Sequence, residues 1–122
     1  MKITIKSGPL SWQAAISATP TGKLIYQSLP LQGAASRWGD EIYFTIPVDA
    51  ELEADASELV SMGDLGYWPS GKAFCIFFGP TPLSLGNEIR PASAVNVFGR
   101  IEENLSDLNK VKDGDVVIIE KS

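Results

Sequence analysis

The sequence predicts a mostly β domain built from many short strands, and three observations carry that prediction. Residues 2–6, 11–17 and 41–46 alternate apolar and polar residues. The middle holds the unbroken apolar run Ala73-Phe74-Cys75-Ile76-Phe77-Phe78, and 11 glycines and 8 prolines punctuate the stretches between. Alternation is the pattern of a strand with one wet face, an unbroken run that of a strand covered on both faces, and Gly and Pro supply the turns. Pattern alone leaves a closed barrel and a sandwich both open.

Residues 2–6 alternate around Ile3 and Ile5, and Gly8-Pro9 breaks the run. Residues 11–17, with Trp12, Ala14 and Ile16 on one parity, read as a second strand, so the two form a hairpin. Thr19-Pro20-Thr21 starts a helix: Thr19 is the N-cap, and Pro20 takes the first helical position, where an N–H would be unpaired anyway. Leu24, Ile25 and Leu29 lie near helical spacing, and Pro30 ends the helix at Ser28 or Leu29, because the residue before proline avoids helical angles.

Residues 33–39 are small and polar apart from Trp38 and predict a loop. Residues 41–46 alternate again, with Ile42, Phe44 and Ile46 on one face and Tyr43 and Thr45 on the other. Asp49, Glu51, Glu53, Asp55 and Glu58 mark an exposed edge strand or solvated loop, and they lack the central glycine of a calcium loop.

Gly63, Gly66, Pro69 and Gly71 interrupt the approach to the central strand at 73–78, which Gly79-Pro80-Thr81-Pro82 ends. A loop reaches Pro91. Residues 94–101 are a strand broken by Gly99, residues 104–110 make one or two helical turns with Leu105 and Leu108 inward, and Asp113-Gly114 turns into the last strand at 116–120. With no internal repeat, linker or low-complexity stretch, residues 1–122 form one domain.

Composition removes several function classes. Ten basic against 15 acidic residues give a net charge of −5, and the lysines and arginines are scattered, so no nucleic-acid partner is expected. No apolar run approaches the roughly 20 residues of a membrane-spanning helix, so no membrane is expected either. The single cysteine, Cys75, has no disulfide partner and no metal-ligand spacing around it, which fits a reducing, cytoplasmic location. The absence of histidine rules out Ser-His-Asp and Cys-His catalytic arrangements. There is no phosphate loop or dinucleotide fingerprint, and no cofactor is expected.

Val60-Ser61-Met62-Gly63-Asp64-Leu65-Gly66, Ser70-Gly71-Lys72-Ala73-Phe74-Cys75-Ile76 and Val97-Phe98-Gly99-Arg100-Ile101-Glu102-Glu103-Asn104 resemble, in order and spacing, strand motifs of the cyclophilins. Thr19-Pro20-Thr21-Gly22-Lys23-Leu24 is similar to their first helix start. Gly39-Asp40-Glu41-Ile42-Tyr43-Phe44, Gly63-Asp64-Leu65-Gly66-Tyr67-Trp68-Pro69, Phe74-Cys75-Ile76-Phe77-Phe78-Gly79-Pro80-Thr81-Pro82 and Ala94-Val95-Asn96-Val97 look like the small bacterial and archaeal cyclophilin-like proteins of unknown function. This resemblance covers nearly the whole chain and implies a cyclophilin-like closed eight-stranded β-barrel with one or two short helices.

The same resemblance argues against prolyl isomerisation. At the positions where cyclophilins carry a pocket glutamine, phenylalanine and histidine, this chain has Ala73, Cys75 and Val95, and the Phe-His-Arg motif bearing the catalytic arginine is missing, with Arg37 only a loose substitute. Cys75 reads as an inert packing thiol, and Asp40-Glu41 and Asp64, beside glycines, as turn residues before any acid–base pair.

Aromatic residues with polar tips, set in loops beside Gly and Pro, are the material of concave sites. The ligand-binding candidates are Arg37, Trp38, Tyr43, Phe44, Tyr67, Trp68, Phe78 and Arg90, near Pro69, Pro80 and Thr81; an arginine here could pair with a carboxylate. A plug of the barrel ends by Trp38 and Trp68 is the competing reading. The expected function is a module binding a small molecule or an extended peptide in an aromatic cleft. A weak prolyl isomerase and a structural subunit of an oligomer are the alternatives, and the oligomeric state stays undecided.

Overall fold

The computed structural model describes all 122 residues. N-terminal alternation becomes a hairpin: β1 (Lys2–Ser7) pairs antiparallel with β2 (Leu10–Ile16) across Gly8-Pro9, setting Ile3 opposite Ala14 and Ile5 opposite Trp12. All four point to the core. Helix α1 (Pro20–Ser28) begins where the proline rule places it, with the Thr19 side chain accepting from the Gly22 N–H at 3.1 Å, and it buries Ile25.

Next come β3 (Leu31–Ala34), β4 (Ser36–Arg37), β5 (Glu41–Thr45), β6 (Asp64–Trp68), β7 (Ala73–Phe77), β8 (Asn96–Ile101) and β9 (Val116–Lys121). All pair antiparallel in one sheet, in the order β3-β9-β1-β2-β8-β6-β7-β5-β4. The two edge strands, β3 and β4, are consecutive in the chain and separated only by Ala35, so the sheet curls until its edges meet and forms a nearly closed barrel. The nine strands correspond to the expected eight when β3 and β4 are taken as one segment bent at Ala35. Short 3₁₀ segments at Pro69–Gly71 and Ser106–Lys110 complete the elements.

Residues 33–39, expected as a loop, instead supply the end of β3 and all of β4. The partner decides this: β3 finds β9 from the far end of the chain, with Leu31 opposite Ile119 and Ala34 opposite Val116. Smallness serves packing here, since a Cβ on Gly33 would lie 2.7 Å from a ring carbon of Phe44. The stretch leading to residue 73 contains β6, which period-two counting does not reveal; its register slips between Leu65 and Gly66, the mark of a bulge.

The acidic stretch 49–58 is a loop, and it is tied down. The Glu53 carboxylate accepts from both the N–H and the hydroxyl of Thr21, at the start of α1, where the helix dipole favours an anion. Buried Asn96 joins the same network, donating to Thr21 Oγ1 (2.9 Å) and the Glu51 carbonyl (2.8 Å) and accepting from the Glu53 N–H (2.8 Å).

The core has two parts. The larger fills the barrel around Phe44, Phe74 and Phe98, whose rings stack at 5.4 Å between the first two and meet edge-on at 5.2 Å between the last two. The smaller, formed by Ala73, Cys75, Phe77, Ile89 and Val95, lies on the outer face of the barrel wall.

Candidate functional site

Strand β7 is buried along its whole length, so its parity separates two environments. Phe74 and Ile76 oppose Phe44 and Ile42 of β5 and belong to the barrel core. Cys75 and Phe77 oppose Tyr43 and Glu41 and belong to the outer face. Residues 79–95 run over that face as a cover. Backbone bridges of Ile89 to Val60 and Val95 to Ser57 pin it, and Thr81 Oγ1 donates to the Arg90 carbonyl. Gly66 permits the close approach: a Cβ there would sit 3.0 Å from both Phe77 and Val95 side chains.

Strand wall and cover do not meet everywhere. Between them lies a cleft of about 240 Å³ lined by Trp38, Glu41, Tyr43, Trp68, Cys75, Pro91, Ala92 and Val95. An apolar cavity of about 150 Å³ holds a benzene ring. The space here takes one substituted ring.

The turn that carries two of the lining residues is tight: the Trp38 N–H donates to the Glu41 carbonyl at 3.0 Å and the Glu41 N–H donates back at 3.3 Å. Trp68 is held by its indole N–H, which donates to Ser93 Oγ at 2.6 Å and links β6 to the cover. At the floor, Glu41 is only 6% exposed, and no lysine or arginine pairs with it. Burial pushes its carboxyl up to about 7, opposed in part by the neighbouring Cys75 thiol. Burial, and then the neighbouring Glu41 charge, hold that thiol well above its ordinary value, so Cys75 is a neutral thiol near pH 7. No three His, Cys, Asp or Glu side chains cluster anywhere as a metal site.

Of the sequence-predicted residues, Trp38, Tyr43 and Trp68 come together in the cleft, and five lie elsewhere. Phe44 and Tyr67 point into the barrel, where the Tyr67 hydroxyl donates to the Val48 carbonyl at 2.5 Å. Arg37 is a strap: its guanidinium donates to the carbonyls of Gly39, Asn109 and Val111 and lies 5.0 Å over the Phe78 ring, which accounts for Phe78 too. Arg90 pairs with Glu88 at 2.8 Å within the cover. Glu41, Pro91 and Ala92 escaped sequence reasoning as lining residues, and Cys75 and Val95 were singled out only as occupants of cyclophilin pocket positions. Parity held the missing signal, since Glu41 shares a face with Tyr43 and Cys75 sits opposite Tyr43.

The fold defines the class of protein: a small antiparallel β-barrel with a cleft on the outer face of its wall. The chain belongs to the cyclophilin-like family, whose model matches residues 1–120. It is similar to the hypothetical protein AF2241 from Archaeoglobus fulgidus, known from a solution structure, at 41% identity over 100% of this chain and 95% of that one, with a TM-score of 0.83. It also shares its fold with McbB, described in complex with tryptophan, at 13% identity and a TM-score of 0.70; the match covers 98% of this chain and 44% of McbB. No curated protein matches. No helix is long and apolar enough to cross a membrane.

Proposed function

We propose that the cleft binds one small, ring-bearing organic molecule. The observation that carries this reading is the composition of a single concavity: two tryptophans and a tyrosine as walls and one buried carboxyl at the floor, in a space of about 240 Å³. Ligand sites are mostly apolar with few polar groups to fix orientation. The volume favours a small molecule over an extended peptide.

Ligand-induced thermal shifts over a panel of phenyl and indole compounds test the proposal. Tryptophan is included because McbB, a protein of the same fold, is described with it. A hit should lose at least tenfold in affinity in Trp68→Ala and keep it in Leu85→Ala, whose residue is 74% exposed on the cover. A hit that Trp68→Ala leaves untouched removes this cleft as the site.

Residual prolyl isomerisation is the second reading. In its favour, Cys75 and Val95, which occupy the isomerase pocket positions by resemblance, both line the cleft. Against it, the nearby arginines are engaged elsewhere: Arg37 donates to the carbonyls of Gly39 and Val111, and Arg90 pairs with Glu88. A protease-coupled proline-peptide assay is expected to give no turnover above background.

A further inference from the structure

We propose that the cleft selects ligands carrying a protonated amine, with the ammonium seated between the Glu41 carboxylate and the rings of Trp38, Tyr43 and Trp68. This rests on the reading of the cleft as a ligand site and names the chemistry that the site recognises.

The floor carries the inference. Glu41 is only 6% exposed as a residue, its carboxylate oxygens open into the cleft, and it receives no hydrogen bond or ion pair from any lysine, arginine or backbone N–H. An ionised carboxylate so placed lacks the partner that buried charges ordinarily have. The molecule supplies none, because the surrounding cations are engaged elsewhere: Arg37 with Asp40, Arg90 with Glu88, and Lys72 with Asp49. Asp64, on the neighbouring β6, accepts from the Ser61 N–H, and Glu58 lies near Arg90. Only burial and the Cys75 thiol act on the Glu41 carboxyl. Tyr43 and Cys75 are the other titratable groups that line the cleft, and Cys75 is held neutral.

A ligand cation completes this arrangement in two ways. It provides the missing counter-charge, and its ammonium meets aromatic rings, of which tryptophan attracts cations most strongly. A ligand carboxylate would instead face Glu41 with no basic side chain in the lining to offset it. A neutral ligand would fill the space and leave the acid unpaired.

Binding of an ammonium requires the ionised acid, whereas the empty site holds its proton up to about pH 7. Cation affinity should therefore rise with pH through neutrality and level off above it.

Phenethylamine, phenethyl alcohol and phenylacetate share one ring and differ in the terminal group, and quenching of the protein's tryptophan fluorescence reads their affinities. At pH 8 phenethylamine should bind at least tenfold more tightly than the alcohol, and phenylacetate most weakly. Between pH 8 and pH 5.5 the amine should lose on the order of tenfold in affinity, and the alcohol should change less than twofold. Glu41→Gln should reduce the preference for amine over alcohol to under twofold. The pH series on the unaltered protein gives the same answer if that variant fails to fold.

Equal binding of amine and alcohol, or tighter binding of phenylacetate, overturns the ammonium assignment. If the alcohol then still depends on Trp68, the cleft stands as a ligand site without it. Failure of all three compounds to bind overturns the ammonium assignment and counts against the cleft itself.

Discussion

On the inner face of the β5–β7 pair, Ile42, Phe44, Phe74 and Ile76 pack into the barrel with 3% exposure or less. On the outer face, one residue along the same strands, Glu41, Tyr43 and Cys75 border an open cleft. The backbone is shared, so the difference lies in what covers each face. Curvature of the whole sheet seals the inside, where the neighbours are mainly apolar and close-packed. A loop pinned by two bridges and a few side-chain hydrogen bonds covers the outside, and leaves space beside a group that is costly to bury. Stability comes mainly from one face, and chemical individuality from the other.

The largest expected effect breaks the inner face. Phe74 is fully buried and touches the rings of Phe44 and Phe98, so Phe74→Ala should destabilise the fold by about 3–5 kcal/mol in urea unfolding. Tyr43→Ala, at a half-buried position on the outer face, should cost less than half as much. Equal losses would mean that the outer face is as much a core as the inner one.

The next effect has the opposite sign. Because the folded-state carboxyl of Glu41 is raised from 4.5 to about 7, the native state holds a proton that the unfolded chain has released between those pH values. Its contribution is therefore fully present below about pH 4.5 and is lost as pH rises towards 7, to a total of about 3 kcal/mol. Glu41→Gln should remove this pH dependence and be more stable than the parent at pH 8, with little difference at pH 4.5. A residue kept at the expense of stability is the pattern of a functional site. A variant that is less stable at pH 8 would show that the carboxylate has a structural partner.

The smallest effect sharpens the picture of Cys75. Its thiol is buried and held neutral, so iodoacetamide at pH 7.5 should label the folded protein far more slowly than the urea-unfolded chain. Rapid labelling would make Cys75 a reactive group of the cleft.

Much of the fold was legible where local chemistry agrees with the final structure. Thr19-Pro20 could only start a helix well, and the parity of Ile3, Ile5, Trp12 and Ala14 has one solution as a hairpin. β3, β4 and β6 were not legible by pattern, because small residues such as Gly33 and Gly66 are chosen for the ring or side chain that approaches them from a distant strand. The candidate site was legible in part. Residue type singled out Trp38, Tyr43 and Trp68, but it also drew in Phe44 and Tyr67, which aromaticity alone cannot assign to one side of a sheet or the other. Glu41 looked like a turn residue beside Gly39-Asp40, and it closes that turn as the first residue of β5.

By itself the sequence determined the mostly β class, the helix and its cap, the doubly buried strand at 73–78 and, through its motifs, the barrel family. These follow from local sterics, side-chain periodicity and motif order along the chain, all of which survive without knowledge of distant neighbours. Only the tertiary structure decided that the barrel closes through a segment bent at Ala35, that residues 79–95 lie over the outer face, and that Glu41 therefore ends beneath aromatic rings with no cation of its own. Burial is a property of what arrives from elsewhere in the chain, and so is the proton affinity that burial sets.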